Sequence, residues 1–292
     1  MSKQIIAVHH SADYDGIFCR EIARMFLLPS VLIGWDFGDP KIKPEPGAIH
    51  YVLDLPPDCL EGNSPDNPLD NVVWIDHHKS AILKWPEIIP GYRIDGVSAC
   101  RLAWQWFELQ GGNYPGGLPI KNDFLNRRVK EPLAVRLAGE YDVWDHRGDG
   151  DLEFQFGLDC LPSDYLPSLL DYSATADRTV AHAITLGKAA MTCYAKRDAD
   201  IIRTRSFMVT FEGLKLLALN TVRCNSGTFT ALDVPKTGHD ALCGFYFNGR
   251  MWTISLYHAK HRTDLDLSQI ATKHGGGGHR GACGFQTKQF PF

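Results

Sequence analysis

The sequence predicts an α/β protein with a larger N-terminal unit built on a parallel sheet and a smaller C-terminal unit with a mixed sheet. Three observations predict it. Short apolar runs alternate with helical patterns through the first half of the chain, as in a parallel sheet wrapped by helices. A long stretch of helical spacing follows. Beyond it, apolar runs recur in closely spaced pairs around turn residues, the pattern of antiparallel hairpins. The active site is expected in the cleft between the two units.

The elements follow in order. Strands are expected at residues 4–8, 30–34, 49–53 and 72–75, each a short apolar run. A helix is expected from about residue 16 to 28. A second spans 98–109, with Ser98 placed as N-cap and Leu102, Trp106 and Leu109 on one face. Leu125, Val129, Leu133 and Leu137 keep a helical spacing that Pro132 interrupts, so two helices are expected, the second opening at Pro132. Residues 56–71 and 111–118, rich in Pro, Gly and Asn, read as loops.

Val180, Ile184, Gly187, Met191 and Tyr194 keep helical spacing. A connecting helix over residues 179–204 is therefore expected between one domain at 1–178 and another at 205–292. In the second domain, runs 207–211 and 214–219 flank Glu212-Gly213, and runs 241–247 and 251–256 flank Asn248-Gly249. A helix near 267–273 should stop at Gly275, before a last apolar segment at 282–285.

Composition bounds the partners. A chain of 292 residues, 44% hydrophobic, can bury a substantial core. A net charge of −4 argues against a broad face for long nucleic acid, yet leaves room for a small anionic substrate. The eight cysteines are scattered with no C-x-x-C pair, which reads as reduced thiols. The apolar run Ile5 to Val8 is too short for a signal peptide or a membrane span. A soluble cytoplasmic protein without a membrane partner is the expectation.

Candidate chemistry lies at the ends of the strands. Asp76-His77-His78 follows Val72-Val73-Trp74-Ile75 directly, so a buried strand delivers a carboxylate and two imidazoles to the sheet's carboxyl edge, where open α/β sheets bind ligands. His9 and His10 end the first strand, and Asp13 and Asp15 lie in the turn before a helix, with Gly16 relaxing the backbone. An Asp-rich capping turn is the plainer alternative there. Asp54 follows Tyr51-Val52-Leu53, and on its own it reads as a turn residue. Glu140 to His146 holds Asp142 and Asp145, which could equally be solvated acids at a helix end. Near the C-terminus, Gly275-Gly276-Gly277-Gly278-His279-Arg280 offers backbone N–H groups and two charged donors for a phosphate, a flexible linker being the alternative.

These pieces, in this order, resemble the DHH phosphoesterase superfamily, in the branch with a DHH-associated C-terminal domain. The resemblance covers nearly the whole chain. Its most specific motifs are Asp76-His77-His78 and Gly276-Gly277-Gly278-His279. It implies metal ligands at His9, Asp13, Asp15, Asp54, His77 and Asp142, with His10 as rival to His9. Asp54 would bridge two Mn²⁺ ions, for which Mg²⁺ or Co²⁺ could substitute. One ion would take His9 and Asp13, the other Asp15, His77 and Asp142. His78 would sit beside the reacting phosphate and Asp76 would support the histidines.

Gly276, Gly277, Gly278, His279 and Arg280 would bind substrate. Tyr257 follows Ser255-Leu256 where nucleotide-cleaving relatives often carry Arg, so either Tyr257 stacks on the substrate or Arg262 supplies the cation. The implied activity is hydrolysis of short linear oligonucleotides such as pGpG, pApA and other nano-RNA, or of 3′-phosphoadenosine 5′-phosphate. Cyclic-dinucleotide cleavage and single-strand exonuclease action are alternatives, and a non-catalytic nucleotide-binding module a further one. A homodimer is expected by the same analogy.

Overall fold

In the computed structural model, strand β1 (Ile5–His10) is flanked on both sides by parallel partners. Residues 3–113, 116–222, 224, 226–229, 238–290 and 292 are described. Two units divide the chain, Met1–Met191 and Thr192–Phe292.

In the first unit β1 leads into α1 (Tyr14–Leu27), β2 (Val31–Trp35), β3 (Ile49–Leu53) and β4 (Val72–Asp76). Then come α2 (Lys79–Lys84), β5 (Gly91–Arg93), α3 (Ala99–Glu108), α4 (Lys121–Leu125), α5 (Leu133–Asp142) and α6 (Asp151–Leu158). The sheet runs β2-β1-β3-β4-β5, and every pairing is parallel. Alternation along the strands serves two cores. Ala7, Leu53 and Ile75 join Phe18, Ile22, Leu102 and Leu137 of the helices on one side, while Val8, Val52 and Trp74 join Leu60 and Trp85 on the other.

The four expected strands and the break at Pro132 are present, Pro132 standing as N-cap of α5. The short α2, β5 and α6 had no sequence signal, since three to eight residues hold too little periodicity to read. Helix α7 (Ala174–Arg205) is longer than expected at its start, and the division between units falls inside it.

The second unit is a mixed sheet of β6 (Ser206–Phe211), β7 (Leu214–Asn220), β8 (Ala241–Phe247) and β9 (Trp252–His258), then α8 (Ser268–Lys273), β10 (Gly277–His279) and β11 (Ala282–Thr287). Its order is β10-β11-β9-β8-β7-β6, antiparallel except for β7 with β8. The β8–β9 turn closes as its Asn-Gly predicts: Asn248 Oδ1 accepts from the Arg250 and Met251 amides, and Gly249 takes φ 92°. No helix among the described residues is long and apolar enough to cross a membrane.

Candidate metal centre

Parallel register aligns the strand ends. His9 pairs with Leu53, and Leu53 with Ile75, so one position further along stand His10, Asp54 and Asp76, side by side at the carboxyl edge. Asp54 sits at φ 59°, a left-handed conformation uncommon for a non-glycine residue, and its amide donates to Ile75 O at 2.9 Å. Helix α1 brings in Asp13, its N-cap, whose Oδ1 accepts from Gly16 N at 3.1 Å. It also brings Asp15, its second residue. Helix α5 ends on Asp142.

These side chains fall into two groups that share Asp54. On one side, His10 Nδ1 lies 3.1 Å from Asp13 Oδ2 and 3.5 Å from Asp54 Oδ2. On the other, His77 Nε2 lies 3.5 Å from Asp15 Oδ2, 3.3 Å from Asp54 Oδ1 and 3.3 Å from Asp142 Oδ2. Each carboxylate oxygen of Asp54 thus faces a different group. Within His10–Asp13–Asp54, and again within Asp15–His77–Asp142, the donor atoms lie within 4.8 Å of one another.

The surroundings hold this set rigidly. Asp15 is buried, and its two oxygens accept from the amides of Ala99 (2.8 Å) and Cys100 (2.7 Å) at the start of α3, a helix end suited to an anion. Asp76 is fully buried; its Oδ1 accepts from the amides of His77 (2.7 Å) and His78 (3.1 Å) and pairs with His78 Nδ1 at 2.7 Å. Its Oδ2 takes the Trp74 indole N–H at 3.3 Å.

Crowding shows in the acid–base behaviour. Burial, then the charges of Asp54 and Asp142, push the Asp15 carboxyl well above the usual carboxylate range. Burial, then Asp13 and Asp54, do the same to Asp142. Burial would raise Asp54 too, but the imidazoles of His10 and His77 hold it below that range. Burial would lower His78, yet the Asp76 carboxylate lifts it to about 10.

This donor set fits a pair of divalent cations. Asp54 Oδ1 and Asp142 Oδ2 are buried and make no hydrogen bond. The four carboxylates of Asp13, Asp15, Asp54 and Asp142 carry together the charge that two such ions would cancel. Carboxylate and imidazole are the ligands Mn²⁺ accepts.

Of the first two histidines, expected as His9 with His10 its rival, the structure brings His10 to the cluster and not His9. Successive residues of a strand face opposite ways, and His9 turns aside, with its Nδ1 2.7 Å from His10 O. Gly16 also acts differently from expectation. Its φ is ordinary, and a Cβ there would lie 2.2 Å from His10 O and 2.6 Å from His10 Cβ, so it lets α1 lie directly against the strand end. Asp36, which the sequence reading missed, lies 3.2 Å from His10 Nε2. Its signal was available, an acid directly after a strand as at Asp54. Asp145, set aside from the sequence, is tied to Arg147 at 2.8 Å.

In the second unit the glycine run is not a loose phosphate loop. Gly277 to His279 form β10, paired with Gly284, Cys283 and Ala282. A Cβ at Gly276 would lie 2.0 Å from Gly284 O, so close packing on β11 demands glycine there. His279 is half-buried. Arg280 is exposed, but its Nε donates to Leu265 O at 3.0 Å and its Nη2 to Asp264 O. Tyr257 donates its hydroxyl to Cys224 O at 2.6 Å and packs its ring on the cluster of Ile202, Leu219 and Phe229. Arg262 is bound to Asp240 and, at 3.0 Å, to Asp264. Tyr257 and Arg262 thus both make hydrogen bonds within their own unit.

A parallel sheet whose carboxyl edge gathers the motif residues, followed in the chain by a mixed-sheet unit with a Gly-Gly-Gly-His strand, is the two-unit α/β architecture expected from the sequence. No family model matches the chain, and no curated protein matches it. Among solved structures it is similar to the pGpG-specific phosphodiesterase PggH from Vibrio cholerae, at 13% identity and TM-score 0.41, over 98% of this chain and 94% of that one. It is similar also to the exonuclease RecJ bound to manganese, at 14% identity and TM-score 0.45, over 97% and 86%. An exopolyphosphatase-related protein from Bacteroides fragilis gives 14% identity and TM-score 0.44, over 99% and 88%. Likeness at this level carries no argument about activity or substrate.

Proposed function

We propose that this chain is a metal-dependent phosphodiesterase that hydrolyses short linear oligonucleotides, including dinucleotides of the pGpG and pApA kind, to mononucleotides. The observation that carries the reading is Asp54, buried at the sheet edge with one oxygen 3.5 Å from His10 and the other 3.3 Å from His77. A carboxylate so placed would serve two cation sites at once. His10 and Asp13 would hold one Mn²⁺, and Asp15, His77 and Asp142 the other, with Asp54 common to both. Bound there, the ions would supply an activated water and neutralise phosphate charge.

The chain's own residues supply the rest. His78, whose ring Asp76 holds, would donate to the phosphoryl oxygens as charge develops on them. Asp76 holds that ring in place through the 2.7 Å contact. In the second unit, His279 of β10 and Arg280 would take part in substrate binding, as the resemblance implies. The net charge of −4 favours small substrates over long strands.

The test is turnover. Metal-stripped and Mn²⁺-loaded protein are incubated with linear and cyclic dinucleotides, nano-RNA, 3′-phosphoadenosine 5′-phosphate and pyrophosphate, and products are resolved by chromatography. Expected is Mn²⁺-dependent release of mononucleotides from linear dinucleotides, abolished in Asp54→Asn. Equal binding of dinucleotide with and without metal, and no product, would make the protein a binding module and sink the reading. Cleavage of cyclic dinucleotides or stepwise shortening of long strands would replace the substrate class.

A further inference from the structure

Asp36 has no part in the ligand set just proposed, yet it holds one of its members. His10 stands with its two ring nitrogens in different company: Nδ1 faces Asp13 at 3.1 Å and Asp54 at 3.5 Å, while Nε2 faces Asp36 Oδ1 at 3.2 Å. An ionised carboxylate accepts only, so the contact requires the proton on Nε2. With Nε2–H so engaged, Nδ1 is the nitrogen that faces the pocket, and its lone pair ligates once a cation takes the place of the proton that Asp13 and Asp54 otherwise draw to it.

The carboxylate is itself held. Asp36 Oδ1 also accepts from the Phe37 amide at 2.7 Å, and the Asp36 amide donates to Asp39 Oδ2 at 3.0 Å. The Asp39 amide returns to Asp36 O at 3.0 Å, closing a turn that runs through Gly38 at φ 99°. The Phe37 ring stands edge-on to His10, with centroids 6.0 Å apart, and rests against Trp35 at 5.6 Å. The end of β2 is therefore built as a bracket for one imidazole.

Resting on the metal reading above, we propose that Asp36 is a positioning residue: through Nε2–H it sets the tautomer and tilt of His10, so that this histidine ligates through Nδ1. Carboxylates behind metal-bound histidines raise ligand basicity, and their loss typically costs about 10- to 100-fold in metal affinity.

The experiment compares wild type, Asp36→Ala and Asp36→Asn by Mn²⁺ calorimetry, and reads the His10 ring nitrogens by ¹⁵N NMR in the diamagnetic Mg²⁺-loaded protein. Circular dichroism confirms that each variant is folded. Expected is a loss of about 10- to 100-fold in Mn²⁺ affinity for Asp36→Ala, and a smaller loss for Asp36→Asn, whose amide oxygen still accepts from Nε2–H. In wild type the Nε2 should be protonated and Nδ1 bound, and this pattern should blur in Asp36→Ala. Wild-type affinity in a folded Asp36→Ala, or His10 protonated on Nδ1, overturns the role of Asp36 while the metal reading stands. Failure of wild type to take up Mn²⁺ overturns both.

Discussion

Asp142→Asn tests the charge crowding at its source. Asp142 and Asp15 present oxygens within 4.8 Å of each other. Two full charges at that distance repel by about 3.5 kcal/mol at an effective dielectric constant of about 20. In the metal-free protein burial, then the charges of Asp13 and Asp54, raise the Asp142 carboxyl above its unfolded value of about 3.9, and the Asp142 charge in turn raises Asp15. A carboxyl with a raised folded pKa contributes its full stability below the unfolded value and loses it as pH climbs through the folded one. Asparagine stays neutral throughout. In EDTA, the variant's stability advantage over wild type should therefore grow with pH from about 4 upward, by about 1.4 kcal/mol per pH unit, and level off at no more than about 3.5 kcal/mol. Urea midpoints at a series of pH values measure this. Adding Mn²⁺ should reverse the order, because ligand binding stabilises the form that binds it by mass action. Parallel pH curves for the two proteins, or wild-type Mn²⁺ affinity in the variant, would refute the reasoning.

Three further outcomes follow from the same geometry. His10→Ala should cost at least tenfold in Mn²⁺ affinity by calorimetry, whereas His9→Ala, on the other face of β1, should stay within about threefold while lowering thermal stability; the reverse ranking would reinstate His9 as ligand. Gly16→Ala places a methyl 2.2 Å from His10 O, so it should destabilise by about 1–3 kcal/mol and cut turnover by about 100-fold through displacement of His10; unchanged turnover would show that α1 shifts freely. Tyr257→Phe removes the 2.6 Å bond to Cys224 O, and should lower stability by about 1 kcal/mol while leaving dinucleotide KM within twofold.

Much of the site was legible because parallel strands print their ends in the sequence. Asp54 and Asp76 each follow an unbroken apolar run, and register then brings them together. The choice between His9 and His10 was not legible. Adjacent strand residues differ only in face, and which face serves the pocket depends on where α1 lands. Glycine-rich sequence at 275–278 was equally ambiguous, since a phosphate loop and a tightly packed edge strand both require residues without side chains. Tyr257 sits at a strand position that alternation alone does not assign a partner; the structure brings its hydroxyl to the carbonyl of Cys224, 33 residues earlier in the chain.

By itself the sequence determined the parallel sheet, the hairpin unit and the residue types of a cation-binding pocket, because apolar periodicity, glycine turns and strand-terminal acids are local properties. Tertiary structure alone decided that His10 is the histidine that enters, that Asp36 stands behind it, and that amides of Ala99 and Cys100 clamp Asp15 from 84 and 85 positions away. Those are matters of direction and distance between elements remote in the chain, which no local pattern of side chains records.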